Sequence, residues 1–328
     1  MDRKIGILGT GHIASKMAGT IARMNGCVID AVASRTREKA DEFAGRFGIS
    51  KAYSSYEELV ADPEIELVYI ATPHSHHYEH AMLCLEAGKA VLCEKAFTAN
   101  AREAEALIRK SEEKGVFITE AIWTRYMPLS LKIMDLVREE TVGKPHTLTA
   151  NLCYPISGKE RVQKPELAGG ALLDIGIYPL NFAAMVFGDQ VESMVSACTR
   201  TATGVDAQET ITQFYPGERM AVLHSGIYSR SDRQGIISCD QGFILVENIN
   251  NPSVARIFNA DYVPVAEYYA PPQITGFEYE VAACFDALDK GLVESPFMPH
   301  SETLRMMRMM DSLRKEWGVA FPNDSREI

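Results

Sequence analysis

The first 120 residues alternate short apolar runs with amphipathic stretches, and this rhythm restricts the fold more than any other feature of the chain. The runs KIGILG, ELVYIATP and AVLCEK are each followed by a stretch with helical spacing of its apolar residues. Strands that alternate with helices form a parallel sheet covered on both faces, and such strands are apolar throughout. Ligands bind these sheets at the carboxyl ends of the strands. The residues directly after each apolar run are therefore the candidates for a functional site.

The pattern changes after about residue 120. Helical stretches near 128–140 and 174–187 precede a series of strand-like runs between 190 and 266, and two more helical stretches end the chain. Apolar runs joined by short turns predict an open antiparallel sheet. A chain of 328 residues allows two domains of about 100 to 200 residues each. We therefore predict an α/β protein with a doubly wound parallel sheet in residues 1–120 and an α+β domain with a large, open, mostly antiparallel sheet in residues 121–328.

A glycine-rich turn joins the first strand to the first helix in GILGTGHIA. Gly9 permits the tight turn, Gly11 lets a pyrophosphate approach the backbone, and Ala14 lets helix and strand pack closely. Because a strand, a helix and a second strand all flank the turn, it predicts a dinucleotide-binding Rossmann domain rather than an ordinary tight turn. The residues predicted to contact the cofactor here are Gly9, Thr10, Gly11, His12 and Ile13.

The end of the second strand bears on the choice between NAD and NADP. An acid at this place serves the ribose 2′-hydroxyl of NAD, whereas the 2′-phosphate of NADP needs a cation and hydrogen-bond donors. Asp30 lies several residues before the strand end, which itself carries Ser34 and Arg35. The alternative is that Arg35 is an ordinary solvated loop residue. The pattern favours NADP, with NAD as the alternative, and predicts Ser34 and Arg35 as cofactor contacts.

The fourth strand ends in ATPHSHHYEH, where we predict that Thr72, Pro73 and His77 line a polar cofactor cleft. His76 and His80 are four residues apart and could face one metal ion from a helix. However, the sequence has no H-E-x-x-H motif and no obvious third ligand, so no metal site is predicted.

The run AVLCEK ends in an acid and a base, Glu94 and Lys95, and both are predicted to contact the cofactor.

Charge and cysteine content exclude several classes of function. A net charge of -11 argues against a general affinity for nucleic acid or anionic membrane, because both require a basic surface. The basic, methionine-rich stretch 304–315 could be a calmodulin-type or membrane-surface helix, but a helix that packs its methionines onto its own domain is commoner. Seven scattered cysteines without a C-x-x-C pair are typical of free thiols in a reducing compartment. We predict a cytoplasmic protein.

These motifs together resemble the glucose-fructose oxidoreductase, inositol dehydrogenase and MocA family of NAD(P)-dependent oxidoreductases. The resemblance covers nearly the whole chain and depends on GTGHIA, ASRTREKA, ATPHSHHYEHA, CEKAF and GGALLDIGIYPLNFA. The stretch EAIWTRYMP, residues 120–128, is similar to the branch that contains dimeric dihydrodiol dehydrogenase. Trp123 and Arg125 of this stretch are also predicted cofactor contacts.

The resemblance implies a catalytic role for Lys95, which matches the lysine of the family's E-K-P motif, although Ala96 stands where the family usually has proline. A lysine beside the nicotinamide can hydrogen-bond the reacting oxygen of the substrate and stabilise its negative charge. The alternative is a surface lysine paired with Glu94.

The resemblance also places Asp174 and Tyr178, four residues apart in GGALLDIGIYP, near the substrate as catalytic residues. At the start of a helix, that spacing puts both side chains on one face. Tyr178 is predicted to move the proton, which requires a cation such as Lys95 to lower its pKa from about 10. The alternative is an aspartate cap followed by a half-buried core tyrosine.

We therefore predict an enzyme that transfers a hydride between nicotinamide and a secondary alcohol or carbonyl of a small sugar, polyol or vicinal diol. The alternative is a non-catalytic sensor or transcription regulator that binds the dinucleotide on the same fold, which the family also contains. Apolar residues on both faces of strand-like runs such as residues 222–227, and the pairing of family members, predict a homodimer or homotetramer through the C-terminal sheet.

Overall fold

A computed structural model describes residues 2–328, which fold into two compact units. The first unit contains the chain up to Ala121, together with Ile274–Met307 and Arg326–Ile328. The second contains Ile122–Gln273 and Arg308–Ser325. The predicted domains, 1–120 and 121–328, are each continuous in sequence, whereas the first unit also includes two segments from the last part of the chain.

The first unit is built on a six-stranded parallel sheet with the strand order β3-β2-β1-β4-β5-β6. This is the order of a Rossmann fold, and the point where the direction of winding reverses lies between β1 and β4. The strands are β1 (Arg3–Leu8), β2 (Cys27–Ala33), β3 (Lys51–Tyr53), β4 (Leu67–Ile70), β5 (Ala90–Glu94) and β6 (Ile118–Ala121). The helices that follow them are α1 (His12–Ile21), α2 (Arg37–Phe47), α3 (Tyr56–Val60), α4 (His77–Glu86) and α5 (Ala101–Lys114).

Local sequence signals begin and end these helices. Asn100 caps α5, because its side-chain oxygen accepts the backbone N–H of Glu103 at 3.0 Å. Gly48 and Gly115 follow α2 and α5 in the left-handed conformation, which glycine adopts without the steric cost of a Cβ atom. Every residue of β4, β5 and β6 is buried, as expected for the strands of a parallel sheet. The predicted doubly wound sheet is confirmed.

The second unit contains an eight-stranded sheet with the order β14-β13-β12-β11-β7-β10-β9-β8. Only β7 and β10 pair in parallel, so the sheet is mostly antiparallel, as predicted. Its strands are β7 (Pro145–Cys153), β8 (Ser193–Arg200), β9 (Asp206–Tyr215), β10 (Arg219–Gly226), β11 (Gly235–Cys239), β12 (Gly242–Glu247), β13 (Val254–Asn259) and β14 (Pro264–Tyr269). The remaining helices of the chain are α6 (Pro128–Arg138), α7 (Glu160–Gln163), α8 (Ile177–Phe187), α9 (Glu278–Asp289) and α10 (His300–Trp317). The first eight residues of α10 belong to the first unit and the remainder to the second.

One face of the eight-stranded sheet is partly open to solvent. In the register of the sheet, Val195 and Val222 both pair with Thr212, and Val222 and Ile236 both pair with Thr149. Val195 is 65% exposed and Val222 37% exposed. We refer to this row, Val195, Thr212, Val222, Thr149 and Ile236, with the neighbouring Phe214, as the outer sheet face.

Two apolar segments are accounted for by burial. The stretch Pro165–Phe187 has the length and mean hydropathy, 1.5, of a membrane span. However, 83% of its most apolar 18 residues are buried, as in the core helix of a globular unit. In α10, Met306, Met307, Met310 and Leu313 are each at most 1% exposed. The methionines therefore belong to the protein core, and the prediction that α10 packs them internally is confirmed.

Candidate active site

The glycine turn after β1 has the geometry that a dinucleotide site requires. Gly9 has φ +99°, and a Cβ atom added there would lie 3.0 Å from the carbonyl oxygen of Ala71. A Cβ on Gly11 would meet no atom within 4 Å, and no side chain caps α1, which starts at His12. Ala14 is fully buried. Gly9 therefore fits the tight approach of two strand ends, and Gly11 leaves room for a pyrophosphate in front of the uncapped helix terminus.

The carboxyl end of β2 carries a cation and not an acid. Asp30 lies within the strand, where its carboxylate is 2.9 Å from the ammonium group of Lys51. Ser34 is buried at the strand end, and Arg35 is exposed directly after it, with no carboxylate partner among residues 2–328. Asp30 is thus already paired and too early in the strand to bind a ribose. Ser34 and Arg35 therefore bring a hydroxyl and a positive charge to the end of β2, where an acid is typical of NAD sites.

The end of β4 holds Thr72 and Pro73 at the surface and His77 in the interior. His77 is fully buried, with Nδ1 2.9 Å from the carbonyl oxygen of Ala96 and Nε2 2.8 Å from that of Thr72. Burial lowers the pKa of His77 to about 4. The imidazole therefore lies between the backbone after β4 and the backbone after β5, and its neutral form, which has one N–H, donates to one of these two carbonyl groups. Its role in the structure is to position two strand ends, and Thr72 and Pro73 provide the accessible surface.

Lys95 is the one residue between Ala90 and Asn100 that is not buried. Glu94, at the end of β5, is 6% exposed and accepts a hydrogen bond from the hydroxyl of Tyr69. The peptide between Lys95 and Ala96 is cis. An exposed ion pair between Lys95 and Glu94 does not fit this burial. The sheet instead presents a half-buried ammonium group at the end of β5, two strands from the glycine turn.

In the second unit, Asp174 lies in a turn that sequence reasoning did not foresee. The helix predicted near 174–187 begins with a π-helical turn, Leu172–Gly176, and continues as α8. Asp174 is 7% exposed, and Arg161 of α7 donates a hydrogen bond to its carboxylate at 2.5 Å. The argument from α-helical spacing therefore does not apply between Asp174 and Tyr178, because the backbone between them changes from π to α geometry.

Tyr178 is 9% exposed and lines a small cavity in the second unit. The other walls are mainly apolar and include Ile133, Met134, Phe182 and Met185. A phenol beside apolar walls can combine a hydrogen bond with contact to the hydrocarbon part of a ligand.

Trp123 and Arg125 lie in a 3₁₀ turn, Trp123–Tyr126, before α6. The Nε of Arg125 donates to the side-chain oxygen of Asn181, one turn after Tyr178 in α8, at 2.6 Å. Arg125 therefore fixes this turn to the helix that carries Tyr178. Neither Arg161 nor Asn181 was predicted as a site residue, because each is recognised only through a partner that is distant in sequence.

Three acids, Asp30, Asp62 and Glu64, approach one another closely enough to hold a metal ion. The ammonium group of Lys51 lies 2.9 Å from Asp30, 2.8 Å from Asp62 and 2.5 Å from Glu64. A lysine thus supplies the positive charge for this group. His76 and His80 have ring centroids 5.8 Å apart, and the Nδ1 of His80 bonds the hydroxyl of Thr72 at 2.9 Å.

The Rossmann strand order, the glycine turn and the lysine at the end of β5 define an oxidoreductase that uses a nicotinamide dinucleotide. Comparison with known families leads to the same class. A family model described as an oxidoreductase family with an NAD-binding Rossmann fold matches residues 3–121. A second model, the GFO/IDH/MocA C-terminal domain, matches residues 130–245. The chain belongs to the GFO/IDH/MocA family of NAD(P)-dependent oxidoreductases.

Relatives with similar sequences cover the full length of the chain. Trans-1,2-dihydrobenzene-1,2-diol dehydrogenase from Homo sapiens is 36% identical over 342 residues, which span 99% of this chain and 100% of the relative. The protein of the same name from Mus musculus is 34% identical over 339 residues, with the same coverage. The resemblance to this branch, first suggested by EAIWTRYMP, is confirmed.

Solved structures show the same fold at lower sequence identity. KijD10, a 3-ketoreductase from Actinomadura kijaniata in complex with NADP and TDP-benzene, has a TM-score of 0.87 and 23% identity, and covers 98% of this chain and 99% of its own. An aldose-aldose oxidoreductase from Caulobacter crescentus has a TM-score of 0.88 and 20% identity, and covers 97% of this chain and 98% of its own.

Proposed function

We propose that the chain is an NADP-preferring dehydrogenase or reductase that interconverts a secondary alcohol and a carbonyl in a vicinal diol, with small sugars and polyols as related substrates. The similarity to trans-1,2-dihydrobenzene-1,2-diol dehydrogenases, which extends over 99% of the chain, carries this proposal. Named relatives that are dehydrogenases favour an enzyme over the non-catalytic sensor.

Bound NAD(P) supplies or accepts the hydride. The ammonium group of Lys95 would hydrogen-bond the reacting oxygen of the substrate and stabilise the negative charge that develops there. A charge-assisted bond of this kind is strongest in a partly desolvated site, and Lys95 is only half-buried at the end of a fully buried strand. Tyr178 is proposed as the group that takes up or releases the proton, and Asp174, held by Arg161, as a group that binds a substrate hydroxyl.

The preference for NADP follows from the end of β2. Arg35 can bind a 2′-phosphate through its guanidinium group, and the Ser34 hydroxyl adds a hydrogen-bond donor. The predicted contacts of the pyrophosphate are the backbone groups of Gly9, Gly11 and the first residues of α1. Because α1 has no side-chain cap, its first N–H groups suit an anion.

We also propose a homodimer or homotetramer that buries the outer sheet face. Exposure of the apolar side chains of Val195, Val222 and Phe214 to water costs free energy, and a symmetric copy of the same face would cover them. The net charge of -11 supports a protein that binds neither nucleic acid nor membrane. Seven free cysteines support a reducing, cytoplasmic location.

A substrate panel tests the proposed activity. The purified protein would be assayed with NADP and NAD against vicinal diols of alicyclic and aromatic rings, aldoses, polyols and dicarbonyls, in both directions. We expect the highest kcat/KM with NADP(H) and a diol or dicarbonyl that carries an apolar ring. Absence of turnover with every member of the panel, together with tight NADPH binding, would instead support the sensor.

A further inference from the structure

Two acidic side chains lie buried on β9, next to the segment that carries Asp174. Asp206 is 1% exposed and Glu209 is 2% exposed. Buried carboxyl groups are rare because removal of a charge from water costs free energy that only specific partners can offset. Neither acid belongs to the set of predicted site residues. Their contacts therefore need an explanation of their own.

Asp206 bonds the backbone where the π-helical turn begins. Its Oδ2 accepts the N–H of Leu172 at 2.5 Å, and the backbone of Ala171 also stabilises the carboxylate. A Cβ atom on Gly170, which has φ +119°, would lie 2.3 Å from Asp206 Oδ1. A side chain at position 170 would therefore displace this carboxylate, and glycine leaves it in place. Asp206 acts as a cap, from another element, for the helical segment that leads to Tyr178.

Glu209 contacts the far end of the same turn. The hydroxyl of Ser225 on β10 donates to Glu209 Oε1, and a Cβ atom on Gly176 would lie 2.6 Å from that oxygen. The two glycines that flank Asp174 thus each leave room for one buried carboxyl group. Within residues 2–328, Glu209 Oε2 and Asp206 Oδ1 are both buried without a hydrogen-bond partner. A buried carboxyl oxygen without a donor is less costly when its group is protonated and neutral.

The charges around the pair favour a single proton. Burial raises the pKa of Asp206 to about 6 and that of Glu209 well above its usual value, and the charge of Asp206 raises the pKa of Glu209 further. The guanidinium group of Arg314 on α10 lowers the pKa of Asp206. The thiols of Cys198 on β8 and Cys153 on β7 also interact with the two acids, and they are neutral because burial raises the pKa of each thiol. Only Asp206 receives backbone N–H groups, so it holds the negative charge and Glu209 holds the proton.

We propose that Asp206, as a carboxylate, and Glu209, as a neutral carboxylic acid, together position the turn that carries Asp174 and the helix that carries Tyr178. Asp206 fixes the start of the turn through its charge, and Glu209 fixes the end through its volume and its bond with Ser225. Both are positioning residues, since they act on the substrate through the turn. The consequence for turnover rests on the proposed function, whereas the protonation of Glu209 does not.

The test uses the full chain and the variants Asp206→Asn and Glu209→Gln, with Glu139→Gln as the control because Glu139 is an exposed acid of the same unit. For Asp206→Asn we expect kcat/KM for the alcohol to fall by about 10- to 100-fold at pH 7.5, the scale of a lost charge-assisted bond, with unchanged NADPH affinity. Wild-type kcat/KM should fall as the pH drops through about 6, when Asp206 is protonated as well, and the variant should lack this limb.

Infrared spectroscopy of the same samples reports the proton without turnover. We expect a protonated carboxyl band in the wild type at pH 7 that loses intensity in Glu209→Gln and gains it in the wild type below about pH 6. Wild-type spectra alone decide this point if a variant fails to fold. Equal bands in the wild type and Glu209→Gln, or an acidic limb that persists in Asp206→Asn, would overturn the proposal. Failure of the wild type to turn over any substrate would contradict only the proposed function.

Discussion

The buried imidazole of His77 leads to a quantitative prediction about the acid stability of the first unit. Its pKa of about 4 lies well below the value of about 6.5 expected in the unfolded chain, because burial disfavours the charged form. Between these two pH values the unfolded chain binds a proton that the folded protein does not. Folding stability from His77 is therefore present above pH about 6.5 and is lost as the pH falls toward 4.

The magnitude follows from the size of the shift. Each unit of pKa difference corresponds to about 1.4 kcal/mol, so acidification from pH 7 to pH 4 should remove about 3 kcal/mol of unfolding free energy through His77. This group is fully buried, so solvent does not screen the effect. The variant His77→Asn cannot titrate. It should be less stable than the wild type at pH 7, since it loses at least one bond to the backbone of Thr72 or Ala96.

Urea denaturation at pH 7, 5.5 and 4.5 would measure the effect for the wild type, His77→Asn and a control, His146→Asn, which alters an exposed histidine of β7. The wild type and the control should lose stability in parallel on acidification, and the His77 variant should lose less, by a difference that grows toward about 3 kcal/mol. Parallel curves for all three proteins would refute the inference that His77 is buried and neutral between the ends of β4 and β5.

Four further predictions concern the site and the assembly. Lys95→Met should lower kcat by about 100-fold or more while NADPH affinity is retained, and near-normal turnover would exclude the catalytic role. Tyr178→Phe should lose the basic limb of the pH profile of alcohol oxidation, and persistence of that limb would mean that Tyr178 is a core residue that does not transfer the proton. Arg35→Ala should weaken NADPH by about 10- to 100-fold and barely change NADH, as fluorescence titration would report, whereas equal losses would exclude a 2′-phosphate contact. Val222→Glu, which places a charge on the outer sheet face, should yield monomers in light scattering, and a wild type that is already monomeric would contradict the proposed assembly.

The fold of the first unit could be predicted because its signals are local. The glycines of the turn, the cap at Asn100 and the buried runs each lie within a few residues of the structure they determine. The position of Arg35 just after β2 could also be predicted, by counting residues along one strand. The same holds for the strands of the second sheet, whose alternation was visible in sequence.

The support of the site could not be predicted, because it depends on contacts between residues far apart in the chain. Arg161 and Asp174 are joined across a loop, and Asp206 bonds a backbone group 34 residues before it. Glu209, the one acid of the strand-like run AQETITQFY, is buried, and no local signal in that run predicted its partners. The only local signal was the pair of glycines, Gly170 and Gly176, and their meaning becomes apparent only when the carboxyl groups opposite them are known.

The division of the chain into units has a consequence for biosynthesis. The outer edge of β6 is closed by late residues, since the N–H of Ile118 bonds the carbonyl of Val293 at 3.0 Å and the Nε2 of His300 lies 3.0 Å from the carbonyl of Ile118. A nascent chain that has reached residue 121 therefore has a complete set of nucleotide-binding strands with one bare edge, which is prone to pair with other chains. That edge remains bare while the ribosome makes the whole of the eight-stranded sheet. A fragment that ends at residue 121 should consequently aggregate, even though it contains every predicted motif of a Rossmann domain.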